Sequence, residues 1–261
     1  MAKTAQSVAR QADGSQLPEV FQQEINKEFL KRAYLSEESE RFQLKYTDPL
    51  AGKRKSAELT KRRRSYKTTY GHTMNRSPRK TLLHRGTSFY FVGAVAPHTV
   101  GGREAHPPKA ERVMVKKLNK KEKRLAIRMG IAGSANKEMV SRFHSVAEIA
   151  SLPVIVDDKI NALSKTKEAV KALDELGLSA EVERIAERKI RAGKGKLRGR
   201  KYKRKMGPVL VTTDDSKVAR AMANLNVTVR KPNSLSIYDV THAGNAGRLM
   251  IWTKGALSSL S

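Results

Sequence analysis

Apolar residues recur at regular spacing in two separated parts of the chain. From Leu17 the residues LPEVF read as a short strand. In the following EINKEFLKRAYLSEESERFQL, Ile25, Phe29, Ala33 and Leu35 repeat at the spacing of an amphipathic helix with a charged opposite face. The pattern stops at Tyr46, where TDPLAGKRKSAE introduces the breakers Pro49 and Gly52, and it resumes only near Val113. There KKLNKKEKRLAIRMGIAGSAN predicts a helix from about Lys116, with Leu118, Leu125, Ile127, Met129 and Ala132 on a narrow apolar face.

Beyond this helix, strand-like and helix-like segments alternate. PVIVDD is a continuous β-branched run of the kind buried on both faces of a parallel sheet. KTKEAVKALDELGL and SAEVERIAERKIRAG read as helices, the second opened by Ser179 and closed by Gly193 as its C-cap. PVLVTTDD predicts a second buried strand, DSKVARAMANL a helix, VTVRK a third strand and RLMIWT a last one. Such alternation predicts an α/β fold, three-layer α/β/α with a mostly parallel sheet. The division that follows is a tail over residues 1–16, a globular domain from 17–44 and 113–255, an inserted basic extended loop over 45–112, and a tail over 256–261.

Charge decides what the insert is for. The 261 residues carry 53 Lys and Arg against 25 Asp and Glu, a net charge of +28. Lys45 to Arg128 alone hold 23 basic side chains and five acidic ones. A segment so charged cannot bury enough apolar surface to offset its ordering entropy, so a polyanion must order it. Nucleic acid is favoured over membrane: no run of about 18 apolar residues exists, and MAKTAQSVARQADGSQ lacks an apolar signal core. The expectation is a soluble intracellular protein. Cysteine is absent, which removes disulfides, thiolate nucleophiles and Cys-based zinc sites. His72, His84, His98, His106, His144 and His242 show no metal-ligand spacing, so they read as RNA-facing or structural and no cofactor is expected.

Three motifs have competing readings. Asp157/Asp158 and Asp214/Asp215 follow predicted parallel strands, at the edge where α/β sheets bind ligands, and an enzyme would use them in magnesium-dependent phosphotransfer. The simpler reading is that Asp158, Asp215 and Ser216 cap the helices that follow. Gly193, Gly195 and Gly199 have the spacing GxGxxxG after a helix, which is not a dinucleotide fingerprint. Arg188 to Lys205 instead hold eleven Lys and Arg, one Tyr, three Gly and no acid, a mixture suited to phosphate contact with base stacking.

The candidate RNA-binding residues there are Arg191, Lys194, Lys196, Arg198, Arg200, Lys201, Tyr202, Lys203, Arg204 and Lys205. The insert repeats this chemistry. Lys53, Arg54, Lys55, Arg62, Arg63, Arg64, Arg76, Arg79, Lys80, Arg85 and Arg103 are interleaved with Tyr46, Tyr66, Tyr70, His72, His84 and His106. SFYFVGAVAPH, from Ser88 to His98, is apolar and aromatic and should be buried against something in an assembled state.

Five blocks carry a family resemblance: YTDPLAGKRKSAE (Tyr46 to Glu58), VGGREAHPPKAE (Val100 to Glu111), LNKKEKRLAIRMGIAGSA (Leu118 to Ala135), KIRAGKGKLRGRKYKRK (Lys189 to Lys205) and GRLMIWT (Gly247 to Thr253). In this order the chain resembles the universal large-subunit ribosomal protein L-four family, in its archaeal and eukaryotic style. The resemblance implies a non-enzymatic ribosomal constituent, cytoplasmic and not a homo-oligomer, with an α/β/α domain and a loop threading into large-subunit rRNA. It also implies that the loop tip lines part of the peptide exit tunnel beside ribosomal protein L-twenty-two and touches the nascent peptide. By position that segment falls within Tyr66 to Arg85, making Tyr70, His72 and Arg76 the tunnel-lining candidates. The chain departs from the family's commoner form there, since KRRRSYKTTYGHTMNRSPRKTLLHRG lacks the usual Gly-Arg-Gly tip.

Overall fold

The protein is described by a computed structural model covering residues 17–44, 47–58, 60–74, 76–149, 151–215 and 217–260. It forms two compact units, one spanning Phe42–Met114 and the other built from the residues up to Arg41 together with those from Val115 on. In chain order the elements are α1 (Lys27–Glu40), β1 (Arg79–Arg85), β2 (Ser88–Gly93), α2 (Lys120–Ala135), α3 (Lys137–Ser141), β3 (Val154–Val156), α4 (Thr166–Glu175), α5 (Ser179–Ala186), β4 (Lys189–Ile190), β5 (Tyr202–Lys203), β6 (Val209–Val211), α6 (Val218–Ala223), β7 (Thr228–Arg230), α7 (Ile237–Val240), β8 (Met250–Thr253) and α8 (Lys254–Ser258).

The larger unit is a mixed α/β body around a four-stranded parallel sheet in the order β3-β8-β6-β7. Every residue of β3, β6 and β8 is buried, as their unbroken apolar runs require. Side chains alternate along each strand, so they feed two different clusters. Val154, Val156, Leu210 and Ile251 pack with Leu173 of α4 and Met222 of α6. Val209, Val211, Met250 and Trp252 pack with Phe21, Ile131 of α2 and Ala256 of α8. Each such side chain removed from water contributes about 1.5–3 kcal/mol.

LPEVF is not a strand. Glu19–Gln22 form a single 3₁₀ turn behind Pro18, which has no N–H to give to a ladder. Phe21 meets Trp252 edge-on at 5.8 Å, so the segment is held by ring packing on the sheet. In α1, Asn26 caps the helix by accepting the Phe29 N–H at 3.0 Å. Its buried face carries Leu30, Ala33, Ser36, Glu37 and Ser39, while Leu35 is 37% exposed.

The polar members of that face are satisfied within the unit. Glu37 accepts the Ile237 N–H at 2.9 Å and the Arg41 guanidinium at 3.2 Å. Ser39 Oγ accepts the Lys116 N–H at 2.8 Å, and Ser36 Oγ donates to the Lys116 carbonyl. These bonds tie Lys116 to α1, and α2 begins only at Lys120, behind the extended Asn119, whose N–H donates to Glu122 at 3.3 Å. A Cβ on Gly130 would lie 2.4 Å from the Val240 side chain, and one on Gly133 2.7 Å from Ala246, so α2 approaches the 240–247 segment only because both are glycine.

Within Phe42–Met114 the structure contains regular elements that the aperiodic sequence did not predict. β1 and β2 form an antiparallel hairpin closed between Arg85 and Ser88, with the register irregular at Leu82. Gly193 also corrects an expectation. α5 ends at Ala186, and Gly193 (φ +78°) instead opens the 3₁₀ turn Lys194–Arg198 between β4 and β5.

Candidate nucleic-acid interface

The cationic run from Arg188 to Lys205 folds back on itself. Lys189 pairs with Lys203 and Ile190 with Tyr202. The Arg191 N–H donates to the Lys201 carbonyl at 2.8 Å, and its Nε to the Arg200 carbonyl at 3.0 Å. Gly199, at φ +77°, turns the chain back. Lys194, Lys196, Arg198, Arg200, Lys201, Tyr202, Lys203 and Arg204 are exposed on this ribbon, while Arg191 and Lys205 are half-buried. Lys201 Nζ lies 5.5 Å from the centre of the Tyr202 ring, and Arg204 donates to Asn226 Oδ1 at 3.3 Å.

Carboxylates barely reach this ribbon. Glu187 accepts a hydrogen bond from Lys205 and lies 3.9 Å from Lys189. Those two lysines hold the Glu187 carboxyl below the usual carboxylate range, Lys205 through its hydrogen bond and then its charge. The remaining cations present an unneutralised field along two short strands, the arrangement that attracts a phosphate backbone.

The root of the ribbon is anchored by a buried network that no local sequence pattern announces. Glu181 is fully buried and accepts from His144 Nδ1 at 2.7 Å, from the Ser145 N–H at 2.9 Å and from Arg184 Nε and Nη2, both at 2.7 Å. Arg184 Nη2 also donates to the Met206 carbonyl at 2.7 Å. One guanidinium thus joins the helix entering the cationic run to the residue leaving it. Burial alone would raise the Glu181 carboxyl, but the hydrogen bonds from Arg184 and His144 and the Ser145 N–H outweigh it and hold the group low and ionised.

Burial lowers His144, against the pull of Glu181, so its ring is neutral, with Nδ1–H donating the hydrogen bond to the ionised carboxylate. His242, stacked on Phe143 at 4.3 Å, is lowered too, first by burial and then by His144.

Below the ordinary histidine value of 6.5 the unfolded chain binds a proton at residue 144 that the folded protein resists. Stability is therefore full above 6.5 and falls as pH drops through the window below it. The Glu181 contribution is lost only further down, below 4.5. Urea melts between about pH 7.5 and pH 5 should show this decline, and His144→Gln, which cannot titrate, should show a shallower one, with His242 left to act. An unchanged slope in the variant would remove His144 as the cause.

In the smaller unit the sequence-predicted residues are spread over turns and the β1–β2 hairpin. Lys53, Arg54, Lys55, Arg62, Arg63, Arg64, Arg76, Arg85 and His106 are exposed, and Arg79, Lys80 and Arg103 are half-buried. Arg54 pairs with Asp48 at 2.8 Å, Lys55 donates to the Gly101 carbonyl at 3.4 Å, and Arg79 Nε to the Met74 carbonyl at 3.1 Å. Arg63 lies 4.9 Å above the Tyr70 ring. Tyr66 is 72% exposed and touches Phe89 edge-on. Tyr70 and His72 are both exposed, on a turn where the Thr69 N–H donates to the Thr60 carbonyl at 3.0 Å. Tyr46 lies outside the described residues.

The acidic pairs behave differently from the capping expectation. Asp158 Oδ1 accepts the Gly255 N–H at 3.1 Å, so it serves the start of α8, not the turn that follows it in sequence. Asp157 pairs with Lys254 at 2.6 Å and Asp215 with Lys231 at 3.3 Å. Ser216 lies outside the described residues. Among the described residues no group of three or more His, Asp or Glu converges as metal ligands would, and no helix is long and apolar enough to cross a membrane.

Comparison with known proteins finds the same likeness along almost the entire chain. A model described as the ribosomal protein L4/L1 family matches residues 15–261. The large ribosomal subunit protein uL4 of Nanoarchaeum equitans is 38% identical over 255 residues, 97% of this chain and 94% of that protein. Its counterpart in Methanocaldococcus jannaschii is 40% identical over 246 residues, 94% of this chain and 91% of that protein. The one in Sulfurisphaera tokodaii is 38% identical over 248 residues, 94% and 88% of the two chains.

Proposed function

The chain belongs to the ribosomal protein L4/L1 family, and from that premise we propose that it is a structural, non-enzymatic constituent of the large ribosomal subunit in the cytoplasm. It binds large-subunit rRNA by neutralising phosphates with the exposed cations of its ribbon and insert. The observation that carries this is the β4–β5 ribbon, where eleven Lys and Arg lie in one run with Glu187 the only carboxylate paired to it among the described residues.

In this reading residues 17–44 and 113–255 are a three-layer α/β/α body, residues 45–112 an insert that penetrates the RNA, and residues 1–16 and 256–261 flanking tails. The two clusters on opposite sides of the sheet support the layered body. The RNA contacts are Lys53, Arg54, Lys55, Arg62, Arg63, Arg64, Tyr66, Arg76, Arg79, Lys80, Arg85, Arg103 and His106 on the insert, with Arg191 and the ribbon residues from Lys194 to Lys205. Tyr70, His72 and Arg76 face the peptide exit tunnel near ribosomal protein L-twenty-two and the passing nascent peptide. The protein acts as one copy within the subunit, without membrane or cofactor.

Affinity for large-subunit rRNA fragments should fall linearly on a log–log plot against salt, with a slope of magnitude above about five. A flat dependence would sink the electrostatic account. Crosslinkers placed at Tyr70 and Arg76 in assembled subunits should capture a stalled nascent chain, and capture of rRNA alone would withdraw the tunnel role.

A further inference from the structure

The β1–β2 hairpin has two unlike sides, and only one is closed. Phe89 and Phe91 stack at 6.0 Å, His84 lies flat against Phe89 at 5.7 Å, and Tyr66 meets Phe89 edge-on at 5.1 Å. On the other side Leu83 stands opposite Tyr90, and Lys80 opposite Val92. Residues directly opposite in an antiparallel pair share a face. Leu83 is 61% exposed, Tyr90 60% and Val92 41%, so they form one open apolar platform. Lys80 and Arg85, on the same face by register, stand at its two ends.

We propose that this platform binds unpaired nucleobases of an RNA strand, with the Tyr90 ring stacked on a base and Lys80 and Arg85 on the flanking phosphates. The proposal rests on the rRNA-binding function above and specifies the form of RNA that the hairpin takes. Charge selects the occupant. Residues 42–114 hold sixteen Lys and Arg against four Asp and Glu, so a second copy of this surface is repelled. A duplex supplies phosphates but keeps its base faces stacked on one another. A strand with unstacked bases supplies both the anion and the flat apolar surface that Leu83, Tyr90 and Val92 leave open.

The test uses the full chain with two labelled RNAs of about a dozen nucleotides per strand, one single-stranded and one duplex, followed by fluorescence anisotropy. Tyr90→Ala should weaken single-strand binding by about five- to a hundredfold, and Tyr90→Phe, which keeps the ring, should bind as the parent does. Neither should change duplex affinity or the salt slope, because no charge is altered. 4-Thiouridine in the single strand should crosslink to the peptide spanning residues 79–93.

An unchanged single-strand affinity in Tyr90→Ala, an equal loss on duplex, or a Phe variant as weak as the Ala one would each overturn the proposal. So would an acidic, leucine-rich peptide that binds the parent and not Tyr90→Ala while RNA binding is unaffected, since the face would then belong to a protein partner. Steep salt dependence without a Tyr90 effect defeats this inference alone, whereas loss of all salt-dependent RNA binding defeats the function it rests on.

Discussion

Glu181→Leu should lower the unfolding free energy by about 3 kcal/mol, at the lower end of what breaking a buried ion pair costs. The carboxylate is fully buried and receives hydrogen bonds from His144, the Ser145 N–H and two nitrogens of Arg184. Leucine fills similar space but leaves these donors without an acceptor, and buried donors left unpaired carry the full desolvation penalty. Arg184 keeps the Met206 carbonyl and its side chain is 19% exposed, which limits the loss. Denaturant melts at neutral pH would measure it. A change below about 1 kcal/mol would mean that the network does not hold the root of the ribbon.

The second large effect is on affinity and has no counterpart in stability. Lys194, Lys196, Arg198 and Arg200 are exposed, and none forms an ion pair among the described residues. Changing all four to glutamine should make the salt slope for rRNA shallower by about four, close to one for each phosphate contact removed. The same variant should melt no lower than the parent, because relieving like-charge repulsion does not weaken packing. A parallel fall in melting temperature and affinity would show that the ribbon is held together by those side chains, and its role as a phosphate contact would lose its support.

The parts of the fold that could be read in the sequence are those with one dominant cause. PVIV, PVLV and LMIW are uninterrupted apolar runs because both faces of their strands are covered, and each is a buried strand of the parallel sheet. Spacing failed where a polar side chain is buried for its hydrogen bonds. In α1 the inward face includes Ser36, Glu37 and Ser39, so the apolar count pointed to Leu35 where Leu30 is buried.

The β1–β2 hairpin was hidden by its own irregularity. The extra residue at Leu82 breaks the alternation of β1, and Leu83 faces outward. Of the candidate site, the cations were evident from composition. Their support was not: His144 and Glu181 are 37 residues apart in the chain, and no local pattern links a lone histidine to one glutamate in an amphipathic helix.

The strand order β3-β8-β6-β7 also fixes a sequence of events during synthesis. β8, the last strand among the described residues, lies between β3 and β6, so those two strands have no ladder connecting them until residues 250–253 have been made. Pairings so distant in sequence form late, after the loop-closure entropy has been met. By then the ribosome making this chain has already released the whole insert and the β4–β5 ribbon. The nascent protein is a polycation before it is a folded body, so any polyanion it meets in that interval reaches the cations before the body has positioned them.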